Sequence, residues 1–274
     1  NPALLYIGRK GQLIGVDVFD DLSNNYNFFC AAGSGSGKSF NFNFLLNAYY
    51  ASNAKVRVVD LGGSYEKSAK TNKGRFMEFG KERTVINPFH THAIDKEDLR
   101  QDMKVTATII AEMAYSASRQ KLHETEWTLI KHAVEWAFET GQTINGIDAV
   151  RTFLGSFPKH SKEDLDYPDA EKMAHALAFN LSDFSTEGPY GRYFNGETTF
   201  DISQDDYVVL ELEKLKGDQE LFNVIIMQVM NSVTQDLYLS DRSQRRFILF
   251  EEAWQYFQEG DQNARIATII EEGY

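Results

Sequence analysis

The spacing of apolar residues changes character twice along the chain. Residues 3–19, ALLYIGRKGQLIGVDVF, carry two short apolar segments around Lys10-Gly11. That predicts a β-hairpin, because glycine accepts the positive φ that a tight turn needs. The apolar run Tyr26–Ala31 predicts a strand leading into a glycine-rich loop, with a helix from about Lys38 to Ala51. Lys55–Asp60, KVRVVD, is rich in β-branched residues and reads as another strand, stopped by Leu61-Gly62-Gly63. The pair Val85-Ile86 runs into Asn87-Pro88 as a strand end and turn. Strand, loop, helix, strand is the order of a parallel sheet with crossover helices.

The middle is helical. From Lys96 to about Ser118, Leu99, Met103, Thr106, Ile109, Ile110 and Met113 recur at helical spacing. A second helix is expected over about Glu124–Thr140, with Trp127, Ile130, Val134 and Phe138 on one face and Gly141 as its stop. Shorter helices fit Ile147–Phe157 and Asp169–Phe184, joined by the polar stretch Pro158–Pro168. Alternation returns at Tyr207–Leu212, a strand, followed by a helix over Asp218–Leu239 that is apolar nearly all round. Arg246–Phe250 is a further strand running into Glu251-Glu252, and Asn263–Glu272 reads as a last helix. The expected division is an α/β core begun over 1–94, an all-α insert over 95–190, and the second part of the core over 191–274.

Composition narrows this picture modestly. Hydrophobic residues make up 42% and charged residues 25%, enough for a packed core. No apolar run approaches the roughly 18–20 residues that span a bilayer, and the first residues lack the layout of a secretory leader. The single cysteine, Cys30, forms no internal disulfide and suits a reducing, cytoplasmic setting; it reads as a small buried strand residue. The net charge of −12 is uneven: residues 1–94 carry +4, 95–206 carry −10 and 207–274 carry −6. An acidic middle repels a phosphate backbone, so it reads as a solvated helical surface and argues against a broad nucleic-acid face.

The chemistry centres on AGSGSGKS, Ala32–Ser39. This is the pattern of a phosphate-binding loop, in which glycines let backbone N–H groups turn inward around phosphates while the following helix points its N-terminus at the same anion. Gly33, Ser34, Gly35, Ser36, Gly37, Lys38, Ser39 and Phe40 are assigned to the nucleotide. Lys38 would neutralise the β- and γ-phosphates of ATP, and the Ser39 hydroxyl would ligate Mg²⁺. Such a site also needs an acid for the metal and a group that orients water, at the tip of a later apolar strand. Glu251 is assigned to the Mg²⁺ side and Glu252 to the base or water-positioning role; the plainer alternative is that both open a helix. Asp is the usual residue at the first of these positions, so Glu251 is a departure. Asp60, also at a strand end, is read as closing an Asx-type turn, with a part in ordering water or Mg²⁺ as the alternative. His90 and His92 lack a third ligand and read as loop residues. Trp127 and Trp136 read as packing, and Arg245-Arg246 as a solvated strand entry.

Several segments together resemble one family. YIGRKGQLIGVDVF, AAGSGSGKS, VVDLGGSYEK, INPF, GPYGRYFNGE, and FEEAWQYF followed by IATIIEEGY occur here in the order seen in TraC-type ATPases, the assembly ATPases of conjugative type IV secretion systems. The resemblance implies a RecA-like P-loop NTPase core with a mainly parallel sheet, an N-terminal β-hairpin and an all-α insert. It implies an ATP- and Mg²⁺-dependent hexameric motor, peripheral to the cytoplasmic face of the bacterial inner membrane and without a transmembrane segment. Such a motor powers pilus assembly and substrate transfer with channel and coupling-protein subunits. It also implies that the docking domain, arginine finger and γ-phosphate sensor lie outside these 274 residues. Two other readings stay open: a DNA-translocating hexameric ATPase of the coupling-protein type, with direct nucleic-acid binding, and a nucleotide-binding structural subunit with little turnover.

Overall fold

A computed structural model describes residues 4–23, 25–80, 84–91, 93–116, 122–161, 168–199, 201, 202, 204–239 and 244–252, with 234–239 in backbone only. The helix expected over Asn263–Glu272 lies outside the described residues, as does His92. The chain divides into two compact units, one of residues 1–79, 202–214 and 233–274, the other of residues 80–201 and 215–232.

The first unit is α/β. Strands β1 (Leu4–Ile7) and β2 (Leu13–Val16) form the antiparallel hairpin, with Leu4 opposite Val16 and Ile7 opposite Leu13. Gly11 sits at φ 77° in its turn, as the pattern requires. Helix α1 (Lys38–Ala51), β3 (Lys55–Asp60), the short α2 (Glu66–Thr71) and β4 (Arg75–Glu78) follow. With β5 (Tyr207–Glu211) and β6 (Arg246–Phe250) they complete a parallel sheet of order β4-β5-β3-β6. Its core follows from two periods meeting. Alternate residues Val56 and Val58, Tyr207 and Val209, and Phe247 and Leu249 pack with Phe42, Leu45, Leu46 and Tyr49, which recur at i, i+3, i+4 and i+7 on α1. The buried Tyr49 hydroxyl accepts from the Val18 N–H (2.6 Å) and donates to Asp17 (2.9 Å), tying the hairpin's exit to α1.

Two expectations are corrected here. Residues 26–31 form no strand: they are exposed and in irregular backbone. Local bonds compete with a ladder, since Asp20 takes the Leu22 N–H and Asn25 takes the Asn27 N–H. Phe28 instead lays its ring against Phe42 and Phe247, at centroid distances of 6.1 and 5.9 Å. Cys30 is correspondingly exposed, not a buried strand residue. Conversely, α2 and β4 form where no element was expected, because six and four residues are too short to show a period.

The second unit is helical, with no strand among its described residues. It contains α3 (Lys96–Tyr115), α4 (Glu124–Glu139), α5 (Gly146–Gly155), α6 (Ala170–Asn180), α7 (Gly191–Phe194) and the start of α8 (Gln219–Leu239). Asp95 caps α3 through the N–H groups of Glu97 and Asp98, and His123 with Glu126 forms a capping box on α4. Val85-Ile86 is buried but bridges by single bonds, Ile86 N–H to the Tyr193 carbonyl and Thr199 N–H to the Val85 carbonyl. The Asn87 amide then holds the carbonyls of Thr143, Ile144 and Gly196 at 2.9–3.1 Å. Trp136, half-buried, packs against Phe153 and His160. Among the described residues no helix is long and apolar enough to cross a membrane.

Candidate functional site

Every described site residue predicted from the sequence lies in the first unit, with Asp60 and Glu251 at the carboxyl ends of parallel strands and the loop tied to them through Ser39. Gly33 to Ser36 close a turn, with the Ser36 N–H on the Gly33 carbonyl. Gly35 and Gly37 stand at φ 72° and 91°, conformations that L side chains rarely adopt, and Gly37 is the N-cap of α1. A Cβ built on Gly33, Gly35 or Gly37 would meet no atom within 4 Å, so the loop faces open space. Its first helical turn holds no acidic residue, leaving the helix N-terminus free to attract an anion. Lys38 opens the helix, its Nζ donating to the Ala32 carbonyl at 3.3 Å across the loop's own mouth. Phe40 follows with its ring 82% exposed. Open amides, a cation and a helix N-terminus are the donor set a triphosphate requires.

The acidic half is buried. Glu251 lies just past β6, continues the ladder through its N–H on the Val59 carbonyl, and is 8% exposed. The Ser39 hydroxyl donates to Glu251 Oε1 at 3.0 Å, across 212 residues of sequence. The structure therefore brings together the two residues assigned to the metal. Among the described residues no three His, Cys, Asp or Glu side chains are arranged to hold a metal alone. The pair fits instead a Mg²⁺ that keeps waters and phosphate oxygens as its remaining ligands. Glu252 follows at φ 51°, a strained position for a side-chain-bearing residue at the tip of the sheet.

Asp60 closes a wider loop than the Asx turn expected of it. It is 0% exposed, and its Oδ2 accepts from the N–H of Tyr65, five residues on. Burial, then the neighbouring Glu211 carboxylate, push its pKa up to about 7. Glu211 stands in register with Asp60 on β5 and accepts from the N–H groups of Gly63 (2.6 Å) and Glu213 (2.7 Å). Sequence reasoning missed Glu211, although the same strand-end position that marked Asp60 and Glu251 was readable in YVVLEL. It also missed Tyr65, whose hydroxyl donates to Glu251 Oε2 at 2.7 Å. A polar stripe on α1 sets this segment in place. Asn43 donates to the carbonyls of Ser39 and Ser64, and Asn47 Oδ1 accepts from Ser68 and Asn72.

The family model of the TraG P-loop domain matches residues 8–267. Protein TraC of Escherichia coli (strain K12) is 23% identical over 270 residues, covering 97% of this chain and 29% of TraC; the chain thus spans under a third of that relative's length. VirB4 of Thermoanaerobacter pseudethanolicus superposes with a TM-score of 0.75 at 18% identity, over 96% of this chain and 70% of that one. The shared fold accounts for the parallel sheet, the hairpin and the helices. With the family model matching nearly the whole sequence, and TraC and VirB4 among its likenesses, the chain belongs to the TraG P-loop domain family.

Proposed function

We propose that this chain binds and hydrolyses ATP as the motor domain of a type IV secretion machine, powering pilus assembly and substrate transfer. The observation that carries the reading is the Ser39–Glu251 hydrogen bond of 3.0 Å, which joins the phosphate loop to an acidic strand end. In this reading the loop amides and Lys38 hold the triphosphate, while Ser39 and Glu251 hold Mg²⁺, which would supply charge neutralisation at the β- and γ-phosphates. Glu252 orients or deprotonates the attacking water; its strained backbone at the sheet tip suits such a residue. Residues 95–190 are taken as the all-α insert of the motor. The likeness to TraC and VirB4 supports a hexamer working at the cytoplasmic face of the inner membrane beside channel and coupling-protein subunits.

Phosphate release and nucleotide binding by the protein and its Glu252→Gln variant test this. General-base loss costs roughly a hundredfold or more in rate, so the variant is expected to bind ATP normally and release phosphate at least about a hundredfold more slowly. Equal inactivity of both, with ATP still bound, would sink the motor reading and leave a nucleotide-binding structural subunit.

A further inference from the structure

We infer that Tyr65 is a positioning residue for Glu251, fixing the longer carboxylate where an Asp is the usual residue. The inference rests on the proposed Mg²⁺ role of Glu251. A glutamate at the end of a strand has one more rotatable bond than an aspartate, so its carboxylate needs an outside restraint to hold one orientation. Here each oxygen has one. Oε1 accepts from Ser39 at 3.0 Å and Oε2 accepts from Tyr65 at 2.7 Å. Without the phenol, the oxygen turned from Ser39 would lose the bond that fixes the plane of the carboxylate.

Tyr65 is itself tightly held. It is 0% exposed, its ring lies in the core cluster of the first unit, and its N–H is taken by Asp60 at 3.1 Å. The loop before it is pinned by Glu211 on the Gly63 N–H and by Asn43 on the Ser64 carbonyl. Gly63 stands at φ 66°, so the chain turns sharply enough there to bring Tyr65 back over the strand ends. A residue oriented by both backbone and ring is able to transmit that order to its acceptor. Groups that orient a metal ligand from behind typically contribute 10–100-fold to metal affinity.

The test is Tyr65→Phe, which keeps the buried ring and deletes the hydroxyl. Binding of a fluorescent N-methylanthraniloyl ATP is titrated with Mg²⁺, and separately measured in EDTA. The expected result is an Mg²⁺ midpoint raised on the order of tenfold, with affinity in EDTA unchanged. The shorter carboxylate of Glu251→Asp cannot keep both bonds, so in that background Tyr65→Phe is expected to shift the midpoint by less than about twofold. A wild-type midpoint in Tyr65→Phe overturns the inference. So does an equal shift in both backgrounds, which would mean that the ring's packing acts independently of Glu251. Failure of the unaltered protein to bind the analogue, or binding indifferent to Mg²⁺, overturns the nucleotide reading and this inference with it.

Discussion

The two halves of the site are built by opposite means. The phosphate loop is exposed, contiguous in sequence and made of backbone; its glycines at φ 72° and 91° work because nothing crowds them. The carboxylate edge is buried and made of side chains: Asp60, Glu211 and Glu251 from three adjacent parallel strands, with Tyr65 threaded among them. An exposed loop can be altered without disturbing what lies beneath it. A buried polar edge cannot, because its groups stand in for water to one another. Function and stability should therefore separate at the loop and coincide at the edge.

The largest contrast lies between Lys38→Ala and Glu211→Ala. Lys38 is half-exposed and, among the described residues, bonds its own loop at 3.3 Å. Removing it should weaken ATP binding on the order of a hundredfold, the worth of a charge-assisted bond to phosphate. Its stability should stay within about 0.5 kcal/mol of wild type, as for an ordinary surface change. Glu211 has no assigned ligand, yet its loss removes the acceptor bonded by the N–H groups of Gly63 and Glu213. That should cost roughly 2–3 kcal/mol of folding stability. Urea unfolding and nucleotide titration of the two variants check the contrast. It breaks if Lys38→Ala unfolds as easily as Glu211→Ala.

A smaller effect sharpens the picture of the edge. Asp60 faces Glu211 on β5, Glu251 beyond β6 and the N–H of Tyr65, and its pKa is raised from 3.8 to about 7. A raised carboxyl binds its proton more tightly folded than unfolded. It therefore contributes stability that is complete below pH 3.8 and is lost as pH rises through about 7. Asp60→Asn keeps an acceptor for Tyr65 and a permanent donor toward Glu211. Thermal melts should show the variant gaining on wild type between pH 5 and 8, then levelling. A gap that stays constant with pH would show that Asp60 is ionised in the folded protein throughout.

The same division explains what was legible in the sequence. The loop was readable because its logic is local: glycines, lysine and serine carry their roles in one stretch. Asp60 and Glu251 were visible as strand-end acids, but their partners were not, because Glu211 faces Asp60 only through the parallel register of β3 and β5. Tyr65 was visible only as part of VVDLGGSYEK, since no spacing rule relates it to a glutamate 186 residues away. The error at Tyr26–Ala31 has the converse cause. An apolar run proposes a strand, but Asp20 and Asn25 nearby satisfy backbone N–H groups locally and leave residues 26–31 outside the ladder.

The smallest expected effect separates strain from chemistry at Glu252. Its φ of 51° costs a side-chain-bearing residue roughly 1–2 kcal/mol, and glycine much less. Glu252→Ala and Glu252→Gly both delete the carboxylate, so neither should hydrolyse ATP under the proposed role. They differ in the backbone: alanine keeps the Cβ that the left-handed conformation penalises. The glycine variant should therefore be the more stable of the two by about 0.5–1 kcal/mol, once its looser unfolded state is offset against the relief. Denaturant midpoints measured side by side read that difference. If alanine is as stable as glycine, no strain is held at the tip, and its geometry no longer supports placing the water-orienting residue there. If the expected order holds, the sheet accepts a cost at the residue assigned to the chemistry, while the carboxylates behind it hold the metal side of the site in place.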